Sequence, residues 1–305
     1  MNNVLRSRVI IYRNVKDFKF EPKLSVENKQ KIIEILSDAL KGKMSLFSVN
    51  KNEGNVFKHL KSNNLIVDSA NNIFIEKEGK VAINMFSGEH ISIVSACVGF
   101  DKSVILNAVE LSQMLSNRVS FAYNDEYGYL MSDLNKIGSG IRVESEIMLS
   151  AIKKINKIEQ VRQNLGKLGY VLKETNYPAV YRMSTKCNLG LGEKKIFEDF
   201  ENTLAKLQDL EIESVKMLDV TNHDEMLDKV SRSMAILSSA HMLTYDELYN
   251  IVVNLRMGKN LGLINLKTEK LNQLQNLVTS KTNEIVAQGE LIELAKKAKD
   301  ILKGE

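Results

Sequence analysis

Strand-favouring segments are confined to the part of the chain before Asn222. Three runs, NIFIE, VAINMF and ISIVSACV, lie between Asn72 and Val98, and Glu78-Gly79 marks a tight turn between the first two. Two further predicted strands are SFAYN, residues 120–124, and VYRMSTKCNLG, Val180–Gly190. After Asn222 only helical periodicity remains. We therefore predict an α+β chain, with a helix-covered sheet in a domain of residues 1–220 and an all-α domain of residues 221–305.

The predicted helices follow the spacing of apolar residues. Before the boundary they are Ser25–Leu40 with Ser25 as N-cap, Ser103–Ser116, a long helix from about Glu144 to Leu165, and Glu193–Leu207. Gly166 and Gly169 are expected to end the long helix. After the boundary the predicted helices are Asp224–Leu237, Thr244–Met257 and Lys267–Leu302. Thr244 and Glu247 have the spacing of a capping box.

Composition argues against several classes of protein. The 305 residues carry a net charge of +4, and the basic residues are dispersed, whereas a nucleic-acid-binding protein usually has a basic stripe. The longest near-apolar run, Ile91–Phe100, is too short to span a bilayer, and the N-terminal residues lack a signal-peptide pattern. Cys97 and Cys187 are far apart in apolar contexts, as is typical of reduced core thiols. We expect a cytoplasmic protein with no membrane or nucleic-acid partner.

The stretch YGYLMSDLNKIGSGIR, residues 127–142, has the frame of a phosphate-handling loop. Small residues at Gly138, Ser139 and Gly140 would let backbone N–H groups approach phosphate oxygens, and Arg142 follows them. The centre of the stretch is less typical, because it contains Asp133, Asn135 and Lys136. No Cys/His cluster has the spacing of metal ligands, so no metal site is predicted and magnesium would arrive with a nucleotide.

Five segments, in order along nearly the whole chain, carry a resemblance to the ATP:guanido phosphotransferases. SRVIIYRN at Ser7–Asn14 resembles the family's S-R-V-R-x-x-R-N, and the stretch at 127–142 resembles its Y-G-Y-L-T-S-C-P-T-N-x-G-T-G-L-R. GEHISI at Gly88–Ile93 resembles N-E-E-D-H-L-R-I, and the segment Tyr181–Ile196 resembles a bacterial form of the family. Leu227–Ile264 is similar to the helical C-terminal region of the bacterial protein arginine kinase branch.

The resemblance implies a kinase that moves the γ-phosphoryl group of MgATP to the guanidinium of a protein arginine. It also implies an antiparallel sheet flanked by helices, with a helical dimerisation domain behind it. Such chemistry needs several fixed cations on the phosphates and carboxylates that orient the acceptor.

Two phosphate-binding arginines of the family pattern are kept. Arg8 is the first arginine of S-R-V-R, and Arg142 is the arginine after the loop. The second arginine of S-R-V-R falls on Ile10, and the arginine after the family's histidine falls on Ser92. The segment Glu174–Val180 is shorter than the family's R-G-x-Y-G-E segment and lacks its arginine and its acceptor-binding glutamate.

The carboxylates and the cysteine of the pattern are also replaced. The two glutamates of N-E-E-D-H fall on Ser87 and Gly88, and Glu89 replaces the aspartate before His90. The cysteine position is Asp133, and Leu134, Asn135 and Lys136 follow it. Losing one preorganised electrostatic donor costs roughly 2.7–4 kcal/mol of transition-state stabilisation. The sequence therefore predicts a catalytically impaired homologue that acts as a regulatory or binding pseudokinase.

The alternative is an active phosphotransferase with rebuilt active-site residues. Strand alternation would put Arg182, Ser184 and Lys186 on one face, where two cations could hold phosphate with help from Lys136. Asp133 is the candidate catalytic group. The structural interpretations stay open beside these: Asp133 as a turn or cap residue, His90 as a satisfied core histidine, Arg142 paired with Glu144 or Glu146, and Arg182 and Lys186 as solvated positions.

The resemblance also implies partners. We expect a homodimer formed through the C-terminal helices. Further candidates are an active arginine kinase, its zinc-finger activator, the Clp ATPase and the heat-shock repressor of that stress-response system. Arg256 and Asn260 could contact a partner or a phosphoarginine, or serve plain helix packing.

Overall fold

The computed structural model describes residues 3–48, 60, 63–67, 72–186, 189–279 and 288–303. These residues form one large antiparallel sheet with helices on one face and a group of helices at one end. None of the helices within these ranges combines the length and the apolarity needed to cross a bilayer.

The main sheet has eight strands, and all of its neighbouring strands pair antiparallel. In chain order the strands are β1 Val4–Arg13, β2 Met44–Ser48, β3 Asn72–Glu76, β4 Val81–Met85, β5 Ile91–Val98, the small hairpin β6 Tyr123–Asn124 and β7 Gly128–Tyr129, then β8 Ile141–Met148, β9 Tyr170–Glu174 and β10 Val180–Thr185. The spatial order is β2-β3-β4-β5-β1-β8-β10-β9, with β6 and β7 forming a separate pair. The strands β1 and β8 are therefore interior strands, each paired on both sides.

Eight helices are described. They are α1 Val26–Ala39, α2 Ser103–Ser116, α3 Ser150–Lys154, α4 Ile158–Lys167, α5 Glu193–Ser239, α6 Tyr245–Asn260, α7 Thr268–Thr279 and α8 Gln288–Lys303. The predicted N-cap is confirmed, because the Ser25 side chain accepts a hydrogen bond from the Asn28 N–H. The predicted capping box at Thr244 and Glu247 is confirmed as well.

The two faces of the sheet differ. Alternate residues such as Val9 and Val143 point into the main core, where they pack with α1, α2 and the first turns of α5. On the other face, Ile10 and Tyr12 are covered at one side by Leu65 and Met131. The rest of this second face carries charged side chains, and a cavity lies in this open area.

The C-terminal helices share a core with the end of the sheet. Leu5, Met148 and Val180 from three strands pack with Leu248 and Val252 of α6 and with residues of α7 and α8. The long α5 runs through the predicted boundary near residue 221 and is kinked at Asn222, which has φ −146° and ψ 38°. The two helices predicted at Glu193–Leu207 and Asp224–Leu237 are thus parts of one long element.

The predicted long helix from Glu144 to Leu165 is wrong. Residues Ile141–Met148 form β8, and the helical segments α3 and α4 follow it. Glutamates favour helices in isolation, but here Glu144 and Glu146 alternate with buried Val143, Ser145 and Ile147 in the period of a strand.

Other predicted limits need smaller corrections. The predicted strand 120–124 is reduced to Tyr123–Asn124, and the strand predicted to Gly190 ends at Thr185. Cys187 lies outside the described residues. The last predicted helix comprises α7 and α8, and residues 280–287 between them are also outside the described ranges.

Candidate functional site

The candidate site is a cavity of about 500 Å³ on the open face of the sheet. Five basic side chains and three carboxylates line it: Arg6, Arg8, Arg142, Lys173 and Arg182, with Glu144, Glu146 and Glu174. Ile10, Tyr12 and Tyr177 contribute to its walls. Arg8, Arg142 and Arg182, which the sequence singled out, thus lie in one cavity.

Strand register explains how these side chains meet. Arg8 lies opposite Glu144 and Arg6 opposite Glu146 in the β1–β8 pairing. Arg182 lies opposite Glu146 in the β10–β8 pairing. Residues directly opposite on one face of an antiparallel pair have their Cβ atoms about 5 Å apart, close enough for an ion pair. The cluster therefore follows from alternation on three neighbouring strands.

Glu144 forms ion pairs with three arginines. Its carboxylate oxygens lie 2.7 Å from Arg8 Nε, 2.7 Å from Arg142 Nε and 3.9 Å from Arg182 Nε. Burial alone would raise the pKa of Glu144, but the charges of Arg8, Arg142 and Arg182 outweigh burial and hold this pKa below its ordinary value. Glu144 is therefore an ionised carboxylate in a residue that is only 4% exposed.

Glu146 has the same role beside it. Arg6 donates to both of its carboxylate oxygens, from Nε at 2.6 Å and from Nη2 at 3.1 Å, and Arg182 Nη2 donates at 2.8 Å. Burial raises the pKa of Glu146, and the two arginines more than offset this effect and lower it. The two glutamates thus bind all four arginines of the cavity.

The four arginines differ in how far they face solvent. Arg8 is buried, and its Nη1 donates to the Asn64 side-chain oxygen at 3.2 Å and to the Ile66 carbonyl at 3.2 Å. The side chains of Arg142 and Arg182 are 37% and 36% exposed, more than those of Arg6 and Arg8. Arg142 and Arg182 are therefore the arginines that a ligand in the cavity would reach first.

The small-residue loop is tied to β1. The Gly140 carbonyl accepts from the Tyr12 N–H at 2.7 Å, and the Ser139 carbonyl accepts from Arg13 Nη1 at 2.9 Å. Gly140 has φ +64°, and a Cβ atom there would lie 2.7 Å from the Tyr12 carbonyl oxygen, so glycine is needed. Neither this loop nor Asp133, Lys136 or Lys186 is among the described residues that line the cavity.

Asp133 is a cap residue. Its Oδ1 accepts from the Asn135 N–H at 3.0 Å at the start of a short 3-10 turn, Leu134–Lys136, which confirms the turn interpretation. Behind it, the fully buried Glu89 accepts from Asn14 Nδ2 at 2.7 Å and from the Ser132 N–H at 3.0 Å. Lys136 Nζ lies 3.6 Å from Glu89 and 4.4 Å from the centre of the Tyr12 ring. These contacts hold the loop in place.

His90 is a satisfied core histidine, as its apolar strand indicates. Its Nδ1 accepts from the Val15 N–H at 3.0 Å, so its Nε2 carries the proton and donates to the Lys19 carbonyl at 2.8 Å. Burial lowers the pKa of His90, which favours this neutral form.

Three residues that replace catalytic positions of the family pattern have packing or hydrogen-bonding roles within the fold. Ile10 is a buried apolar residue, and the Ser87 and Ser92 hydroxyls lie 3.0 Å apart in a hydrogen bond. In the short segment before β10, Glu174 pairs with Lys153 at 2.8 Å at the surface.

The same segment contacts the C-terminal helices. The Tyr177 ring is stacked on the Tyr249 ring, with centroids 6.2 Å apart, and the Tyr249 hydroxyl donates to the Pro178 carbonyl. One wall of the cavity is therefore attached to α6.

Arg6 and Lys173 were not predicted from the sequence, and Glu144 and Glu146 were predicted only as partners of Arg142. The Arg142–Glu144 pair confirms that structural interpretation. The alternation in IRVESEIM was the signal that could have identified the whole cluster.

Arg256 and Asn260 are engaged within the chain. Arg256 is buried and its Nη2 donates to Asn272 Oδ1 at 2.9 Å, while Asn260 Nδ2 donates to Asn3 Oδ1 at 3.0 Å. Their contact with a partner stays a prediction. Across the described ranges, no group of three or more His, Cys, Asp or Glu side chains could hold a metal ion.

Comparison with known proteins gives two family matches. Residues 25–214 match the ATP:guanido phosphotransferase C-terminal catalytic domain, and residues 223–305 match the protein-arginine kinase McsB C-terminal domain. The chain is 26% identical to the protein-arginine kinase of Clostridium novyi, over 99% of this chain and 95% of that protein. It is 26% identical to that of Bacillus subtilis, over 90% and 81%.

Solved structures agree on the fold. The substrate-free duplicated taurocyamine kinase from Schistosoma mansoni gives a TM-score of 0.61 at 20% identity, with 69% of this chain covered and 33% of that one. Lombricine kinase gives 0.58 at 19% identity, covering 68% and 66%. The chain thus spans a third of the taurocyamine kinase chain and just under two thirds of lombricine kinase. Since one family match alone covers more than half of its residues, the chain belongs to the ATP:guanido phosphotransferase family.

Proposed function

We propose that this chain is a protein-arginine kinase homologue with impaired phosphoryl transfer, which works by binding as a regulatory pseudokinase. The observation that supports this proposal is that the four arginines of the cavity form ion pairs with glutamates of the same chain. Each of them is already paired with Glu144 or Glu146. Phosphoryl transfer needs cations directed at the phosphates and preorganised for the charge of the transition state.

The acceptor side of the site gives further support. A guanidinium acceptor is a cation, so carboxylates must receive and orient it. Glu144 and Glu146 are bound by arginines, and Glu89 is buried in the loop anchor. Glu174 is at the surface with Lys153. In the described part of the cavity, each carboxylate therefore has a basic partner already.

MgATP does not fit the residues present. Its triphosphate would need the arginine N–H groups that the two glutamates occupy, and the buried Arg8 is further engaged by the Asn64 and Ile66 oxygens. The family is ATP-dependent, but we expect this chain to bind MgATP weakly.

The second candidate function is an active phosphotransferase that moves the γ-phosphoryl group of ATP to a protein arginine through rebuilt residues. One observation favours it: Arg8, Arg142 and Arg182 lie in one cavity. Under this alternative the arginines would exchange their glutamate partners for phosphate oxygens.

Transfer of label from radioactive ATP distinguishes the two functions. The purified chain is incubated with radioactive ATP and magnesium, alone and with a model protein. Acid-labile phosphoarginine is then measured on each protein. The Bacillus subtilis relative serves as the active control. We expect no phosphoarginine above the enzyme-free blank. Label on arginine that depends on this chain would establish the second function.

We further propose that the protein acts in the cytoplasm, as a homodimer formed through the C-terminal helices. The partners we propose are an active arginine kinase, its zinc-finger activator or the Clp ATPase. The match of residues 223–305 to the protein-arginine kinase C-terminal domain supports this part of the proposal. Light scattering of the purified chain should give twice the monomer mass. A monomer at micromolar concentration would contradict the dimer.

A further inference from the structure

We infer that Glu144 and Glu146 are specificity-determining residues that act as built-in anions, occupying the arginine cluster and excluding polyphosphates from it. The inference deepens the proposed function and rests on it, because it identifies what keeps nucleotide out of the site. The ligand class concerned is polyphosphate, with inorganic tripolyphosphate and ATP as its representatives.

The geometry of the pairs carries the inference. The planar guanidinium group pairs with carboxylate and phosphate oxygens in the same way, through two N–H groups directed along one edge. Arg6 presents that edge to Glu146, with contacts at 2.6 and 3.1 Å. Arg8 donates from Nε to Glu144 at 2.7 Å, and Arg142 forms an ion pair with the same carboxylate at an Nε–Oε1 distance of 2.7 Å. Carboxylate oxygens thus take the positions at which phosphate oxygens would bind.

The location of the glutamates makes them difficult to displace. Glu144 and Glu146 belong to the interior strand β8, and their residues are 4% and 2% exposed. Neither carboxylate can turn away without losing its ion pairs with the arginines, so a polyphosphate that enters the cavity meets two held negative charges at close range. Like charges within a few ångströms repel strongly where water is scarce.

The remaining charges of the cavity define what removal of one carboxylate would do. Five basic residues face three carboxylates, so the lining already has an excess of positive charge. Arg142 and Arg182 are the arginines most exposed to the cavity. Neutralising either glutamate adds one unit of positive charge and releases arginine N–H groups toward the space where a ligand binds.

The test is calorimetric titration of the full chain with tripolyphosphate and, separately, with MgATP. The variants are E144Q and E146Q, which keep shape and remove charge. We expect the unmodified chain to bind weakly, without saturating at millimolar ligand, and each variant to bind at least about tenfold more tightly. The charge-matched control is E159Q, since the exposed Glu159 on α4 pairs only with Arg162 among the contacts described for it. This control should not gain affinity.

Two additional variants keep the test decisive. The double variant E144Q/R142Q should lose the gain of E144Q, because its released arginine is gone. Circular dichroism establishes which variants are folded. If E144Q does not fold, E146Q, which leaves the Arg8–Glu144 pair in place, decides alone.

The failures of the inference and of the proposed function can be distinguished. Folded E146Q with no gain in affinity for polyphosphate overturns the inference, and so does tight ATP binding by the unmodified chain without transfer. Phosphoarginine formed by the unmodified chain overturns the proposed function, whatever the titrations give.

Discussion

Three buried glutamates, Glu144, Glu146 and Glu211, are stabilised in two different ways. Glu144 and Glu146 stay ionised because arginines surround them. Glu211 on α5 is 1% exposed and accepts hydrogen bonds from the backbone N–H groups of Ala151 at 2.7 Å and Ile152 at 3.0 Å. Burial raises the pKa of Glu211 to about 7, although these hydrogen bonds act in the opposite direction.

The pKa of Glu211 predicts a loss of stability between weakly acidic and neutral pH. The folded chain holds the Glu211 proton up to about pH 7, whereas the unfolded chain releases it near 4.5. The folded state therefore binds more protons in this window, and the free energy of unfolding falls as pH rises through it. The loss from this one group is at most roughly 3–4 kcal/mol.

Urea unfolding at pH 5, 6, 7 and 8 measures this effect, with E211Q as the matched variant. E211Q cannot ionise, so its free energy of unfolding should fall less over the window than that of the unmodified chain. His90 contributes with the opposite sign, since its lowered pKa makes stability rise with pH. It does so in both proteins, so the difference between them isolates Glu211. Parallel pH profiles would contradict the prediction.

At the residue scale, the sequence identified single side chains better than the set they form. The cap role of Asp133, the core role of His90 and the Arg142–Glu144 pair are local, so each was within reach of pattern reasoning. Arg6 could not be placed in the cluster, because its position there depends on register between β1 and β8. Register is fixed by the whole sheet and is not visible in a single segment.

At the element scale, β8 shows where local propensity misleads. Its glutamates and its position before α3 favoured a continuous helix, yet the segment is an interior strand of the sheet, paired with β1 and β10. What decides is tertiary pairing: each glutamate meets arginines only in the strand conformation. By contrast, α1 and α6 have N-caps that depend only on neighbouring residues. The first residue of each helix was therefore predicted correctly to within one position.

Contact between the helices α5 and α6 predicts the effect of a single methyl group at Gly258. A Cβ atom there would lie 2.7 Å from Val230 Cγ1 and 2.8 Å from Val230 Cγ2, and Val230 is itself buried. We expect G258A to lower the free energy of unfolding by about 1–3 kcal/mol through overpacking. Denaturant unfolding measures this loss.

Gly166 in α4 is the control, because a Cβ atom there meets nothing within 4 Å. G166A should leave stability unchanged or raise it by up to about 1 kcal/mol, since alanine favours a helix over glycine. Shortening the opposing side chain in G258A/V230A should recover part of the loss. Equal effects of G258A and G166A would show that close helix contact is not the cause.

At the scale of the whole molecule, the sheet and the C-terminal helices are joined in one apolar core. Val180 of β10, Met148 of β8 and Leu5 of β1 are all buried among residues of α6, α7 and α8. The first family match ends at residue 214 and the second begins at residue 223. The helix α5 continues from one to the other, with a kink at Asn222. The boundary between the two matched sequence domains therefore need not separate two units that unfold independently.

The shared core predicts that the full chain unfolds in one cooperative transition. Neither part can lose its packing without exposing Leu5, Met148 and Val180, so the free energies of the two parts are coupled. Differential scanning calorimetry should show one peak whose calorimetric and van't Hoff enthalpies agree.

V180A should move that whole peak to a lower temperature by a few degrees, because its cavity costs about 1–3 kcal/mol. The exposed Val220 on α5 gives the control V220A, which should leave the midpoint within about 1–2 °C. Two separate peaks, of which V180A shifts one and leaves the other unchanged, would show instead that the sheet and the C-terminal helices unfold independently.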